Sequence, residues 1–142
     1  MRIPPKKEQY AVRAIYELAK RCECGPTKIS AIADAQSIPV RFLEVILGQL
    51  KKSGLVASKR GFYGGYYLLK PPEDVSVGEV LRFLQKKVDG ELTDDDPAPS
   101  EPGDEENPAL EQLWHRVKAA AYGIYDDTSM KDLLEVNTAL EK

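Results

Sequence analysis

The stretch Ser58-Lys-Arg-Gly-Phe-Tyr-Gly-Gly-Tyr66 holds two cations, three glycines and three aromatic rings within nine residues. Side chains of these types bind surfaces rather than break bonds. Lys59 and Arg60 set positive charge beside Gly61, Gly64 and Gly65, which permit φ > 0 and close backbone approach to a neighbouring surface. Nucleic acid suits that chemistry; taken by itself, the segment reads equally as a surface hairpin with solvated Lys and Arg. The rest of the chain offers little for catalysis. It has one histidine, His115, no serine or cysteine in a nucleophile motif, and no phosphate-cradling loop ahead of a helix, so an enzyme is not expected. Gly61-x-x-Gly64-Gly65 lies between apolar runs that read as strands, the wrong setting for a dinucleotide. The two cysteines, Cys22 and Cys24, flank Glu23. Two thiolates do not complete a tetrahedral metal site, so reduced thiols in a reducing, cytoplasmic compartment are expected, with no bound metal or cofactor.

The elements that must position this segment follow from hydrophobic spacing. Leu55-Val56-Ala57 and Tyr66-Tyr67-Leu68-Leu69 flank the glycines as two short strands of a hairpin. Before them, Pro39 suits the first turn of a helix whose Leu43, Ile46, Leu47 and Leu50 make an apolar stripe. A short turn at Ser37-Ile38 separates it from a helix over 28–36, with Ile29, Ile32 and Ala33 inward. A first helix over 5–21 turns Ala11, Ala14, Ile15 and Leu18 inward and leaves Lys7, Glu8, Arg13, Glu17 and Lys20 for solvent. Two short helices across a tight turn, the second followed by a hairpin, describe a helix-turn-helix with a wing. The fold expected is mainly α with a small antiparallel β-hairpin. Pro71-Pro72-Glu73-Asp74 stops the second strand, and 75–84 reads as a fourth helix that closes the core through Val77, Val80, Leu81 and Leu84.

The net charge of −3 hides a strong asymmetry. Residues 1–90 carry 16 Lys and Arg against 9 Asp and Glu, whereas 91–142 carry 4 against 14, giving +7 and −10. Charges more than about 8 Å apart are largely screened at physiological salt, so a distant acidic segment does not cancel a basic face. Residues 91–108 contain eight acids, four prolines and a single leucine, the composition of a flexible acidic loop. Its 18 residues reach roughly 20–25 Å, which would let the loop compete with an anionic partner for the basic half. No stretch approaches a membrane span, and the first residues do not resemble a signal peptide.

Beyond the acidic loop, Leu110, Leu113, Trp114, Val117, Ala121 and Ile124 follow the helical period from about Pro108 to Tyr125, and a last helix starts near Ser129. A helix carrying Trp114, set apart from an already compact unit, needs an apolar surface. A second copy of the chain is the simplest partner, and folding back on its own domain is the alternative. The chain therefore divides into a winged unit over 1–85, a flexible loop over 86–108, and dimerisation and C-terminal helices over 109–142.

Residues 38–72, from Ile38-Pro-Val-Arg-Phe-Leu-Glu-Val-Ile-Leu-Gly-Gln-Leu50 through Gly61-Phe-Tyr-Gly-Gly-Tyr66 to Pro72, resemble the Rrf2 family of bacterial winged-helix transcription regulators. Supporting matches lie at Tyr10 to Ala19, at Ile29 and Ile32-Ala33, and at Val77-Gly-Glu-Val80. The resemblance implies a regulator, repressing in type, that binds a near-palindromic double-stranded DNA operator as a homodimer. It implies that the helix from Pro39 enters the major groove and the hairpin the minor groove. Arg41 and Glu44 are then the base-reading candidates, Arg60 the minor-groove arginine, and Lys28, Ser30 and Lys59 the phosphate contacts. Gly61, Phe62, Tyr63, Gly64 and Gly65 would complete the contacting wing. Lys51 and Lys52 could instead cap their helix electrostatically.

Two departures from the family matter. The wing tip is Phe62-Tyr63 where relatives commonly have Pro-Gly; the rings could pack on sugars or wedge at a base step, although at least one is expected to pack back on the domain. Iron-sulfur members carry three cysteines in the loop that here has none, so an apo regulator is expected. A winged-helix protein-interaction module and a thiol- or metal-responsive sensor using Cys22 and Cys24 remain as alternatives, as does control by a regulatory protein or small-molecule effector.

Overall fold

A computed structural model of the chain describes residues 5–85 and 107–140. The acidic segment up to Glu106, with the competition expected of it, lies outside these residues. The described elements are helices α1 (Lys6–Lys20), α2 (Ile29–Gln36), α3 (Val40–Lys52), α4 (Val77–Gln85), α5 (Pro108–Asp127) and α6 (Met130–Leu140), with strands β1 (Val56–Lys59) and β2 (Gly65–Leu68). The molecule is mainly helical with one two-stranded antiparallel sheet, as expected.

Helices α1, α2 and α3 form where their apolar stripes can be buried. Ala11, Ala14, Ile15 and Leu18 of α1 meet Ile32 of α2 and Leu43, Ile46, Leu47 and Leu50 of α3, all essentially inaccessible to water. The turn between α2 and α3 depends on Ser37, the one non-glycine residue with positive φ among the described residues, at φ 53°. Its left-handed backbone ends α2, and Ile38 N–H donates to the Ala33 carbonyl at 3.0 Å. Pro39 then stands just before α3 rather than inside it, accepting from Leu43 N–H at 3.1 Å. Gly54, at φ 82°, ends α3 by donating to the Lys51 carbonyl at 3.1 Å.

Glu17 differs from its expected solvent position. It is 2 % exposed and accepts from Arg21 Nε at 2.5 Å and Gln36 Nε2 at 3.1 Å, so a buried carboxylate ties α1 to α2. Its burial is tolerable because both oxygens have donors.

The wing pairs in the register Val56↔Leu68 through Lys59↔Gly65. A third segment joins it: Thr27 N–H donates to the Tyr66 carbonyl and Tyr66 N–H to the Thr27 carbonyl, both at 2.8 Å. The linker between α1 and α2 thus holds the outer edge of β2.

Helix α4 begins at Val77, two residues later than its apolar pattern suggests. Val75 accepts from Met130 N–H at 2.8 Å and Val77 donates to the Thr128 carbonyl at 2.9 Å, which keeps Val75 and Ser76 extended against Ser129. Two side-chain caps flank this crossing: Ser76 Oγ accepts from Glu79 N–H, and Ser129 and Asp132 cap each other's backbone at 3.0 Å. Met130 is fully buried with the α1 and α4 residues, and Asn137 donates to the Tyr16 hydroxyl, so α6 packs back on α1.

Candidate nucleic-acid interface

With Leu43, Ile46, Leu47 and Leu50 facing the core, helical geometry turns the opposite side of α3 outward. The centre of that side is the stripe Arg41, Val45, Gly48 and Lys52, with Glu44 at its edge; Arg41, Glu44, Val45 and Lys52 are all exposed. Arg41 and Glu44 form no ion pair with each other. The Arg41 guanidinium lies instead 5.6 Å from the Phe42 ring centroid. Phe42 is in turn 6.5 Å from Tyr10 of α1, over which Lys6 and Arg13 stand at 5.7 and 5.4 Å. Four cationic and aromatic side chains of α1 and α3 therefore continue outward from Arg41. The sequence signal of this cluster is the placing of Lys6 four residues before and Arg13 three residues after Tyr10.

The wing tip is a tight turn in which Gly64 N–H donates to the Gly61 carbonyl at 2.9 Å, leaving Phe62 and Tyr63 at its corners. The rings do not pack back on the domain as expected. They are 80 % and 85 % exposed and stack edge to face on each other at 5.1 Å. Their link to the rest of the protein is a cation: Lys28 Nζ lies 5.5 Å from the Phe62 ring centroid. Lys59 and Arg60 stand exposed beside them.

The wing glycines serve different needs. Gly61 has φ 111° and open space around a would-be Cβ, so conformation alone requires glycine. A Cβ on Gly64 would overlap the Lys59 carbonyl, and one on Gly65 the Thr27 carbonyl. The close backbone approach that glycines permit is therefore within the wing at Gly64, and between the wing and the α1–α2 linker at Gly65. Lys51 and Lys52 lie in the last turn of α3, where cations suit the helix end, and Lys51 Nζ also braces the wing by donating to Ser58 Oγ at 2.7 Å.

Lys28 and Ser30 occupy the start of α2 and line a shallow cleft of about 390 Å³ with Arg21, Cys24, Thr27 and Asp34. The structure thus joins Lys28 to the wing tip through Phe62. Arg41 and Glu44 stand separately on α3. Cys22 and Cys24 are free and exposed on a short 3₁₀ turn after α1.

Along α5, Leu110, Leu113, Trp114, Val117 and Ile124 are exposed, and Ala121 is half-buried. Trp114 alone leaves 61 % of its surface to water.

The chain was compared with known proteins. The family model Rrf2, described as an iron-dependent transcriptional regulator, matches residues 5–136. The HTH-type transcriptional regulator CymR of Bacillus subtilis (strain 168) is 33 % identical over 127 residues, covering 89 % of this chain and 86 % of the relative. The HTH-type transcriptional regulator IscR of Escherichia coli O1:K1 / APEC is 40 % identical over 83 residues, 58 % of this chain and 51 % of the relative. Among solved structures, IscR of T. potens superposes with TM-score 0.77 at 27 % identity, covering 96 % of this chain and 88 % of that one. CymR (YrzC), described as the global cysteine regulator of B. subtilis, gives 0.73 at 31 % identity and covers 96 % and 98 %.

The iron in the family description was tested against the donors of this chain. An iron-sulfur cluster is held chiefly by Cys thiolates. The chain has two cysteines, one residue apart on an exposed turn, and none at 91–108. Among the described residues no group of three or more His, Cys, Asp and Glu side chains could hold a metal ion. The residues present do not fit such a cluster. Among the described residues no helix is long and apolar enough to cross a membrane.

Proposed function

The chain belongs to the Rrf2 family of DNA-binding transcription regulators, and from this premise we propose that it is a homodimeric, sequence-specific repressor acting in the cytoplasm on a near-palindromic operator. In this reading α3 enters the major groove, where Arg41 bonds guanine and Glu44 accepts from cytosine. Arg60 and the wing tip enter the minor groove, and Lys28, Ser30 and Lys59 hold phosphates. The observation that carries the reading is the anchoring of the exposed wing tip to the start of α2 through Lys28 and Phe62. In this reading Lys28 joins Lys59 and Arg60 in one basic rim, which the contact of Lys28 with the wing-tip ring supports. Dimerisation through α5 would bury the exposed Trp114 stripe and repeat the rim at a second half-site.

The test is enrichment of binding duplexes from a random pool, followed by fluorescence anisotropy at two salt concentrations. A DNA-binding regulator gives an enriched near-palindrome, affinity that falls steeply with salt, and a further loss in Arg60→Ala. Failure to enrich any duplex would favour the protein-interaction alternative. A second reading, control through thiol chemistry, is favoured by Cys24 lining the cleft that holds Lys28 and Ser30. Mild oxidation should then weaken operator binding by the native protein and leave Cys24→Ser unaffected.

A further inference from the structure

Val45 and Gly48 are anomalous on the outward side of α3. Val45 is 55 % exposed in the middle of the stripe, four residues after Arg41 and three before Gly48. Exposed helix positions ordinarily carry long polar side chains, and a β-branched residue is also a weaker helix former. Phe42, another exposed apolar residue on α3, is accounted for by the ring of Tyr10. Val45 lies one turn further along α3, between Arg41 and Phe42 around the helix, and among the described residues no ring covers it: it stays 55 % exposed.

Gly48 is the ninth of thirteen residues in α3. Glycine in a helix interior is destabilising relative to alanine unless close packing or positive φ demands it. Neither applies. A Cβ at 48 would meet nothing within 4 Å, and Gly48 is not among the positive-φ glycines. The free protein gains nothing from glycine here, so the missing side chain provides room on the outside of the helix.

We propose that Val45 and Gly48 form a subsite for the C5-methyl group of thymine. Gly48 lets α3 seat deeply in the major groove, and the Val45 methyls then meet the thymine methyl beside the polar contact of Arg41, on the side away from Glu44. Thymine is the one base that displays a methyl group in that groove, so an apolar contact there carries sequence information. The subsite rests on the DNA-binding reading above and adds a determinant that neither Arg41 nor Glu44 supplies.

The experiment takes the duplex enriched from the random pool and replaces each thymine in turn by deoxyuridine, which removes the methyl and leaves the hydrogen-bonding edge intact. The native protein should lose about fourfold in affinity at one position per half-site, as expected for one buried methyl. Val45→Ala should bind thymine and uracil duplexes alike at that position, and Val45→Ile should keep the discrimination. Gly48→Ala should raise the melting temperature by about 2–4 °C while weakening operator binding. These opposite signs separate a contact role from a merely structural one. Equal affinity for every uracil-substituted duplex, or Gly48→Ala binding as tightly as the native protein, would overturn the subsite. If no duplex is enriched at all, the DNA-binding reading fails, and the subsite with it.

Discussion

Arg82 of α4 and Asp126 of α5, 44 residues apart, meet in a two-pronged ion pair: Nη2 donates to Oδ2 at 2.8 Å, and Nη1 donates to Oδ1. Gly78, one turn earlier on α4, makes the approach possible, since a Cβ there would overlap the Asp126 carboxylate. The Arg82 guanidinium also lies 5.0 Å from the Tyr122 ring centroid. The C-terminal turns of α5 are thereby latched to the winged unit, while its N-terminal turns carry the exposed Trp114 stripe.

The latch predicts a pH dependence of defined sign. Hydrogen bonding to Arg82 holds the Asp126 carboxyl below the ordinary aspartate value of 3.8, and the same bond pushes the Arg82 guanidinium up. A depressed carboxylate stabilises the fold above its unfolded pKa, and that contribution disappears as pH falls through the folded value. Asp126→Asn should melt below the native protein at pH 7, and the gap should close as pH is taken well below 3.8. Both side chains are exposed, so the gap should be modest and should shrink in 1 M salt. A gap that stays constant from pH 7 to pH 2.5 would refute the assignment.

Gly65→Ala should loosen the wing. Gly65 has φ 154°, and a Cβ would overlap the Thr27 carbonyl that bonds Tyr66. Backbone strain of this kind is worth about 1–3 kcal/mol, to be read as a lower denaturant midpoint at unchanged m. Gly61→Ala has adverse φ but open space, so it should lose less. Equal losses at both positions would show that the Thr27 bridge does not hold the wing.

Much of this fold was legible because its determinants are local. The stripe Leu43, Ile46, Leu47 and Leu50 announces α3 by its 3.6-residue period, and the glycines at 61, 64 and 65 mark the hairpin. What escaped depends on partners far along the chain. Thr27 pairs with Tyr66, Val75 accepts from Met130, and Glu17 is buried because Arg21 and Gln36 complete it. No local pattern distinguishes such a glutamate from a solvated one. The site divides in the same way. Arg41, Glu44 and Arg60 follow from the family resemblance, whereas the exposure of Val45 has no signal in the local pattern, since an apolar residue beside an apolar stripe can face either way.

The α5 stripe predicts an association that can be switched off. Trp114 is exposed in the single chain, so Trp114→Glu should leave the monomer fold intact and oppose burial against a second copy. Light scattering should report a dimer for the native protein and a monomer for the variant. Melting temperature should rise with protein concentration only in the native case. A native monomer at micromolar concentration would remove α5 as a dimer contact.

The wing tip yields the last prediction because its rings have no other evident role. Phe62 and Tyr63 are exposed, stacked on each other, and held near α2 by Lys28. Exposed aromatics of this kind contribute little to folding, so the double variant Phe62→Ala, Tyr63→Ala should keep the native melting temperature. If the rings wedge at a base step, removing both should weaken duplex binding by about 1–3 kcal/mol, the scale of base–aromatic stacking. A 2-aminopurine placed at that step should brighten when the native protein binds and stay quenched with the double variant, since fluorescence follows unstacking. Arg60→Ala separates charge from wedge: it should flatten the salt dependence while leaving the brightening in the saturated complex. Brightening that survives loss of both rings would assign the distortion to another part of the wing. Unchanged affinity in the double variant would mean that the rings do not touch DNA.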